Sequence, residues 1–555
     1  MTVQSGKPGA RRRLGLALRD TYETLRRHPA PCLLVLVGLV SLVVTVGQAR
    51  DDVHQLYRDA DTAVAFVLPQ LAGHSPPGTV TDLGDHNWYE TWWFERATIG
   101  LPDHFLIWEA APFIVDFLGI AAVCWAVAIA LGRRAALYTG VALLVIGDQM
   151  RQVIFEPDVR VGLLVHMGLL CVALLAVWER ARSGRLSWRW LLACGGALAL
   201  FTAPGGTDQL LMIDGVAPFV LTAWLWWWRN RSPAARSVAL FATVVGAVAL
   251  IGEALLTTVM VNAGVSSSLN LDSFQFIPAA SLGADVENTI TAWASFADGN
   301  FFGIPINKAG TLVFVLGALS LIGLLLAVRL TIRTTTAWWS DRAVTRASAE
   351  HGAHDLFLGY WALALIMTFA SYMLTTASAS ADARYLLSGW VAVAALLGAA
   401  VVTEQGRTVL VAGLVVLSGV MIRDNLAFGV PGPGEAYPPR TAAQIEQYVL
   451  SEHTTIGYAA YAYSHNLTWA TRFKVKVFPL WPCDLRPGKV CQRALSSDSA
   501  WFIPRPHTRT FLISGPQTTI TAAPADFGTP VAKATFGQFT VSVYGHDVAA
   551  QILQF

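Results

Sequence analysis

Eleven hydrophobic stretches run through residues 31–422, at about 31–49, 110–131, 134–148, 160–178, 189–204, 210–228, 237–260, 309–330, 355–374, 385–402 and 408–422. A bilayer core takes roughly 20 apolar residues per helix, and only helices or closed barrels satisfy their own backbone there. The stretches therefore predict a polytopic α-helical membrane protein with about 11 transmembrane helices. Composition agrees: 54% of the 555 residues are hydrophobic, 14% are charged and the mean hydropathy is +0.49, whereas a soluble domain carries about 25% charged residues. The apolar run at 31–49 follows Arg11, Arg12, Arg13 and a polar segment to Arg27. That layout reads as a retained first span rather than a cleaved signal peptide.

Positive charge sets the orientation. With the N-terminus inside, the predicted inner segments hold 21 Lys and Arg, and the outer segments up to residue 407 hold 7. An odd span count then puts the C-terminus outside, as expected for a plasma (inner) membrane protein. Two outer segments are long, 50–109 and 261–308, within a transmembrane module of residues 1–422. Residues 423–440, rich in Pro and Gly, read as a stiff linker. Residues 441–555 read as an extracytoplasmic α/β domain: TAAQIEQYVLSE (441–452) has helical spacing, while KVKVFPL (474–480), TRTFLIS (508–514) and FTVSVYG (539–545) read as strands. Cys483 and Cys491 lie in this tail, and an outside location makes them a candidate disulfide. Cys32, Cys124, Cys171 and Cys194 lie in apolar spans and read as small core residues.

The acids are not scattered. Asp59, Asp61, Glu109, Asp116, Asp148, Asp208, Asp214, Glu253 and Asp382 all fall at the predicted outer ends. Charge in or against hydrocarbon is expensive and usually marks a working site, so they predict a water-filled acidic cavity on the outer face. Asp59 and Asp61, just beyond the first span, suit a general base acting on an acceptor hydroxyl; an amphipathic helix with solvated acids is the plain alternative. Asp85, His86, Trp88 and Tyr89 belong to LGDHNWYETWWFER (83–96), where rings at i,i+4 spacing lie among charges. They suit a substrate wall or simple interface anchoring. Asp208 and Asp214 sit in a Gly/Pro-rich stretch, TAPGGTDQLLMIDGVAPF (202–219), read as an outer hairpin. Arg384, in a short outer loop against the charge bias, suits bidentate binding of a phosphate, or an ion pair with Asp382. Arg58 and Lys308 are further outer cations. His166 reads as a hydrogen-bonded structural residue.

Other classes lack support. No His or Cys pair has metal-ligand spacing, so no metal or other cofactor is expected, and a divalent cation is unsupported. There is no Walker loop and no G-x-G-x-x-G after a strand. The predicted inner loops are too short for a nucleotide-binding domain, and segregated charge with a net of +2 gives no footprint for nucleic acid.

The layout resembles the GT-C superfamily of integral membrane glycosyltransferases: N-inside topology, a long acidic first outer loop, about eleven spans and an outer C-terminal domain. WYETWWF and LPDHFLIWEAAPF also resemble stretches of actinobacterial transferases of this kind. The resemblance implies an inverting hexosyl- or pentosyltransferase that uses a polyprenyl-phosphate sugar as donor. The acceptor would be a hydroxyl of a cell-wall glycan, a lipid or a protein. Asp59 or Asp61, in RDAD, would be the base, and Arg384, in DARYLL, would help bind the donor phosphate, with Arg58 behind it. In this sequence the two acids are separated by one residue rather than adjacent, which leaves the choice between them open. A transporter or lipid-linked-sugar flippase with an acidic outer cavity is the competing class, although no internal repeat is evident. A non-enzymatic envelope scaffold would need no acid cluster.

Overall fold

The computed structural model describes residues 33, 35–43, 67–71, 76, 79–83, 96–101, 104–145, 162–205, 209–266, 275–295, 307–340, 352–380, 383–400, 410–416, 418–419, 439–483, 489–493, 496–515 and 519–553. Each of the eleven apolar stretches contains helix within these residues. In chain order the helices are α1 (35–43), α2 (His104–Leu131), α3 (Arg133–Leu144), α4 (Leu163–Arg182), α5 (Trp188–Gly205), α6 (Ala217–Asn230), α7 (Pro233–Asn262), α8 (Leu282–Ser295), α9 (Lys308–Ser340), α10 (Gly352–Leu374), α11 (Leu387–Ala400) and α12 (410–416). Five stretches are long and apolar enough to cross a membrane: Leu106–Leu131, Leu163–Arg182, Pro233–Asn262, Gly310–Arg333 and Gly352–Leu374; α5 and α11 contain shorter apolar runs. The chain is thus built as a multi-pass bundle.

Small residues fix the helix register, as they do where lipid supplies no hydrophobic drive between helices. Gly119 of α2 lies against Leu164 and Val165 of α4, and Gly168 of α4 lies against Ala122 and Val123 of α2. A Cβ on Gly119 would come within 2.5 Å of Leu164, and one on Gly168 within 2.7 Å of Ala122. Residue numbers rise together along both helices, so α2 and α4 are parallel. Gly398 of α11 meets Val127 of α2 and Thr139 of α3 in the same way.

The tail folds into a six-stranded mixed sheet, in the order β5-β4-β3-β7-β9-β8. Its strands are β3 (Ile456–Ala460), β4 (Lys476–Pro482), β5 (Val490–Gln492), β7 (Thr510–Ser514), β8 (Ala532–Phe536) and β9 (Phe539–Tyr544). β3 pairs in parallel with β4 and β7, and the outer strands pair antiparallel. α13 (Pro439–Ser451) leads into β3, and α14 (His465–Ala470) makes the crossover to β4. α13 begins inside the stretch read as linker, because Pro at the start of a helix gives up no hydrogen bond. Gly457 is needed for packing: a Cβ there would sit 2.3 Å from the Phe511 ring on its parallel neighbour. Cys483 and Cys491 are joined by a disulfide next to the β4–β5 pairing.

The sheet domain does not hang free of the bundle. Val67, Leu68, Leu83, Trp108, Met260 and Val265 are buried in one apolar cluster with Tyr458, Leu467, Trp469 and Phe502 of the domain. Trp108 stacks on Trp469 at 6.0 Å and donates its indole N–H to Thr98 Oγ1 at 2.7 Å. This moves the end of the first outer segment. α2 starts at His104, not after Glu109, because its first turns are held in the domain core rather than in lipid.

Inside the domain, His465 is fully buried between the rings of Tyr461 and Trp501 and donates from Nε2 to the Ser496 carbonyl at 3.0 Å. Burial, reinforced by the Arg493 charge and only partly offset by that hydrogen bond, holds the imidazole down at about 3 from its ordinary 6.5. Between those values the unfolded chain takes up a proton that the folded chain refuses. Stability therefore rises with pH through that window and is complete above it.

Two outcomes are expected. Trp108→Ala should lower the stability of the detergent-solubilised protein by about 3–5 kcal/mol, read as a fall in the thermal unfolding midpoint, with Trp108→Phe recovering part of the loss. In urea titrations the domain should lose stability as pH falls from about 7 to 5, by at most ~1.4 kcal/mol per pH unit from this one group. His465→Gln should flatten that slope.

Candidate functional site

Three segments that are distant in sequence meet above one end of the bundle. β1 (Thr81–Asp82), from the first long segment between apolar stretches, pairs in parallel with β2 (Val265–Ser266), from the second, and antiparallel with β6 (Ser497–Asp498) of the tail domain. Thr81 N donates to Gly264 O at 2.8 Å, and its hydroxyl donates to Asp498 Oδ2 at 2.7 Å. Gly264 has φ +77°, and a Cβ there would meet Thr79 O at 2.7 Å, so the turn into β2 requires glycine. The two long segments and the tail domain thus occupy the same side of the bundle.

A second join lies lower. Ile277 N donates to Leu374 O at 3.1 Å, and Thr376 N donates to Gln275 O at 3.0 Å. These bonds tie the chain before α8 to the C-terminal end of α10. α8 then packs against α10 and α11 with part of its surface exposed. Leu282, Val286 and Ile290 form its exposed stripe, while Asp285, Thr289, Ala292 and Trp293 are buried. Trp293 packs on Phe369 of α10 at 4.8 Å and on Trp390 of α11 at 6.2 Å. So anchored, α8 places Asp285 beside the turns that link α10 to α11.

Asp285 is 4% exposed, and its Oδ1 accepts a hydrogen bond from the Ser378 hydroxyl in the first of these turns, Thr376–Ser380. Its Oδ2 has no hydrogen-bond partner among the described residues. The second turn, Ala383–Leu386, contains Arg384. A second buried carboxylate, Asp116, lies in α2. Asp116 is 1% exposed, and its Oδ2 likewise has no partner among the described residues; nor does the hydroxyl of buried Ser388, at the start of α11. The buried Asp285 carboxylate and the Ser378 and Ser388 hydroxyls therefore lie on or beside the turns that include Arg384. Such carboxylates can accept hydrogen bonds from sugar hydroxyls, and an arginine in such a turn suits a phosphate.

The sequence-predicted residues fare unevenly. Asp59, Asp61, Arg58, Asp85, His86, Trp88, Tyr89, Asp208 and Asp382 lie outside the described residues. Glu109 and Arg384 are placed by their backbone, in α2 and in the turn before α11. Asp214 needs correction. It is not on a loop hairpin but in a π-helical turn, Met212–Val216, that continues into α6, and it is fully buried. The packing of Gly215 against Leu211, Met167 and Leu170 draws this turn into the bundle, within electrostatic reach of Tyr360. His166 is structural: its ring nitrogens lie 2.7 Å from Gly162 O and 3.0 Å from Phe201 O. Asp285 and Ser378 were missed. The spacing of the apolar residues in 282–293 gives no clear inward face for Asp285, which is i,i+3 from exposed Leu282, so its burial follows from the packing of Trp293 and the contact with Ser378. No group of three His, Cys, Asp or Glu capable of holding a metal occurs among the described residues.

No protein-family model matches the sequence, and no curated protein matches it. Among solved structures, the chain is similar to the oligosaccharyltransferase AglB from Archaeoglobus fulgidus in complex with an inhibitory peptide and a dolichol-phosphate (11% identity, TM-score 0.38, covering 82% of this chain and 64% of that one). It is also similar to ArnT from Cupriavidus metallidurans in the apo state (16% identity, TM-score 0.37, 94% and 99% covered) and bound to undecaprenyl phosphate (16%, 0.36, 92% and 97%). The chain spans less than two thirds of the archaeal oligosaccharyltransferase.

Removing the Ser378 hydroxyl should leave a buried carboxylate with less compensation. Ser378→Ala is expected to cost about 1.5–3 kcal/mol. A double-mutant cycle with Asp285→Asn, read by thermal unfolding, should show a coupling of about 0.5–3 kcal/mol. Additive losses would mean that the two side chains act separately.

Proposed function

We propose that the protein is a membrane glycosyltransferase that moves a hexose or pentose from a polyprenyl-phosphate donor to a hydroxyl acceptor: a wall glycan, a lipid or a protein. The acceptor lies on the outer face, with inversion at the anomeric carbon. The observation that carries this reading is the bundle end itself. The buried Asp285 carboxylate is bound to the turns that include Arg384, and the β1–β2–β6 sheet joins both long segments to the tail domain. The proposed chemistry uses those parts. A carboxylate of the first outer segment, Asp59 or Asp61, takes the proton of the acceptor hydroxyl. The oxygen attacks the anomeric carbon as the bond from that carbon to the phosphate oxygen breaks. The polyprenyl phosphate departs with the bonding electrons, and Arg384, supported by Arg58, stabilises its charge. Asp116 and Asp285 would receive hydroxyls of the bound sugars.

Purified protein in proteoliposomes, supplied with a panel of polyprenyl-phosphate sugars and acceptors, should form a glycosidic product. Asp59→Asn or Asp61→Asn should reduce the rate by about 10²–10⁴-fold at equal expression, the usual worth of a positioned base. Arg384→Ala should raise the donor KM. Full transfer by both aspartate variants would remove the assigned base, and flux of an intact lipid-linked sugar without product would favour a transporter.

A further inference from the structure

The opposite end of the bundle carries recognition chemistry that sugar transfer does not use. α7 has 30 residues, about 45 Å at roughly 1.5 Å per residue. Its Met260 end is buried in the tail-domain cluster, so Pro233 and the α6–α7 turn lie at the far end. The C-terminal turns of α4 and α6 meet there, with Trp178 edge-on to Trp226 at 5.4 Å.

Around that contact, arginines lie on tryptophan faces. The Arg180 guanidinium sits 4.6 Å from the Trp190 ring, Arg231 is 5.3 Å from Trp227, and Arg189 is 5.6 Å from Trp188. All three arginines are exposed, as are Trp188 at 66% and Trp228 at 67%. Residues 179–189 and 229–236 together hold seven arginines and one acid, Glu179, which is bound to Arg182 at 2.6 Å. Positive charge at a helix C-terminus is favourable in itself, but that needs no rings beneath it.

These contacts have a consequence for the arginines. Cation–π attraction to a ring within about 6 Å helps hold each guanidinium in place, and a guanidinium's in-plane N–H edge matches two phosphate oxygens at once. Exposed indoles settle at the headgroup level of a bilayer. We infer that this end is a binding site for the headgroup phosphates of anionic phospholipids, with Arg180 and Arg231 as the clamps and Trp190 and Trp227 as their platforms. The surplus of six positive charges selects lipids of net negative charge over zwitterionic ones. The site is independent of the transferase reading and does not involve the outer residues.

The test is lipid binding by the full-length protein in detergent, with phosphatidylglycerol or phosphatidylcholine added and bound lipids counted by native mass spectrometry. The wild type should bind phosphatidylglycerol about tenfold or more tightly than phosphatidylcholine. Arg180→Ala and Arg231→Ala should each cost about fivefold in phosphatidylglycerol affinity, with phosphatidylcholine unchanged. Arg180→Lys/Arg231→Lys keeps the charge but loses the paired N–H edge, and should fall between wild type and the double alanine variant. Thermal unfolding of each variant separates lost binding from lost fold. Equal binding of the two lipids by the wild type overturns the inference, as does undiminished phosphatidylglycerol binding by the alanine variants. Lysine variants that bind as well as wild type would also overturn the clamp, since charge alone would then suffice.

Discussion

The close parallel contact of α2 with α4 sets the level of nearly every polar group in the bundle. At Gly119 and Gly168 the two backbones approach too closely for any side chain between them. Neither helix can slide by a residue without a clash of backbone against Cβ. Because α11 is locked against α2 at Gly398 in turn, the heights of Asp116, Ser388 and the turn with Arg384 are fixed together. Within a bilayer, where apolar burial gives little preference for one register over another, such steric locks do the work that a hydrophobic core does in water.

The polar content of the bundle follows from that rigidity. A carboxylate in an apolar interior is tolerated only when its surroundings are worth the desolvation. The described residues show different solutions. Asp285 takes a hydroxyl from Ser378 across a tertiary contact, and Asp214 sits in a widened π-turn, a form of helix often found at functional sites. Asp116 keeps one oxygen without a partner among the described residues. Asp285 lies at the end that bears the β1–β2–β6 sheet, and the basic, tryptophan-backed surface lies at the other. The molecule is therefore chemically polarised along its long axis.

Much of this was legible in the sequence, and the limits have physical causes. Apolar run length located the five helices long and apolar enough to cross a membrane, because burial in lipid leaves composition little freedom. The strands of the tail domain were legible at β4, β7 and β9 from their β-branched and aromatic content. The start of α2 was not, because His104–Glu109 is helical for a reason outside its own sequence: Trp108 fills a gap in a core made more than 300 residues later. Asp214 was misread because Gly and Pro around it signalled a turn, whereas the glycine serves close packing. Asp285 was hidden by its position in a segment notable only for length; its inward direction depends on a helix phase that the loop-like flanks obscured.

The three-stranded sheet over the bundle end also has a temporal meaning. Thr81 and its partner Asp498 are separated by 417 residues. As the chain leaves the ribosome, β1 emerges early and must stay without β6 until almost the whole polypeptide has been made and inserted. An unpaired strand edge is an invitation to wrong partners. At two residues, β1 offers little such edge, and brevity protects the nascent chain while it waits. Closure of this sheet is then among the last events of biogenesis, so an unfinished or truncated chain would be left with an open, unroofed bundle rather than a prematurely assembled one.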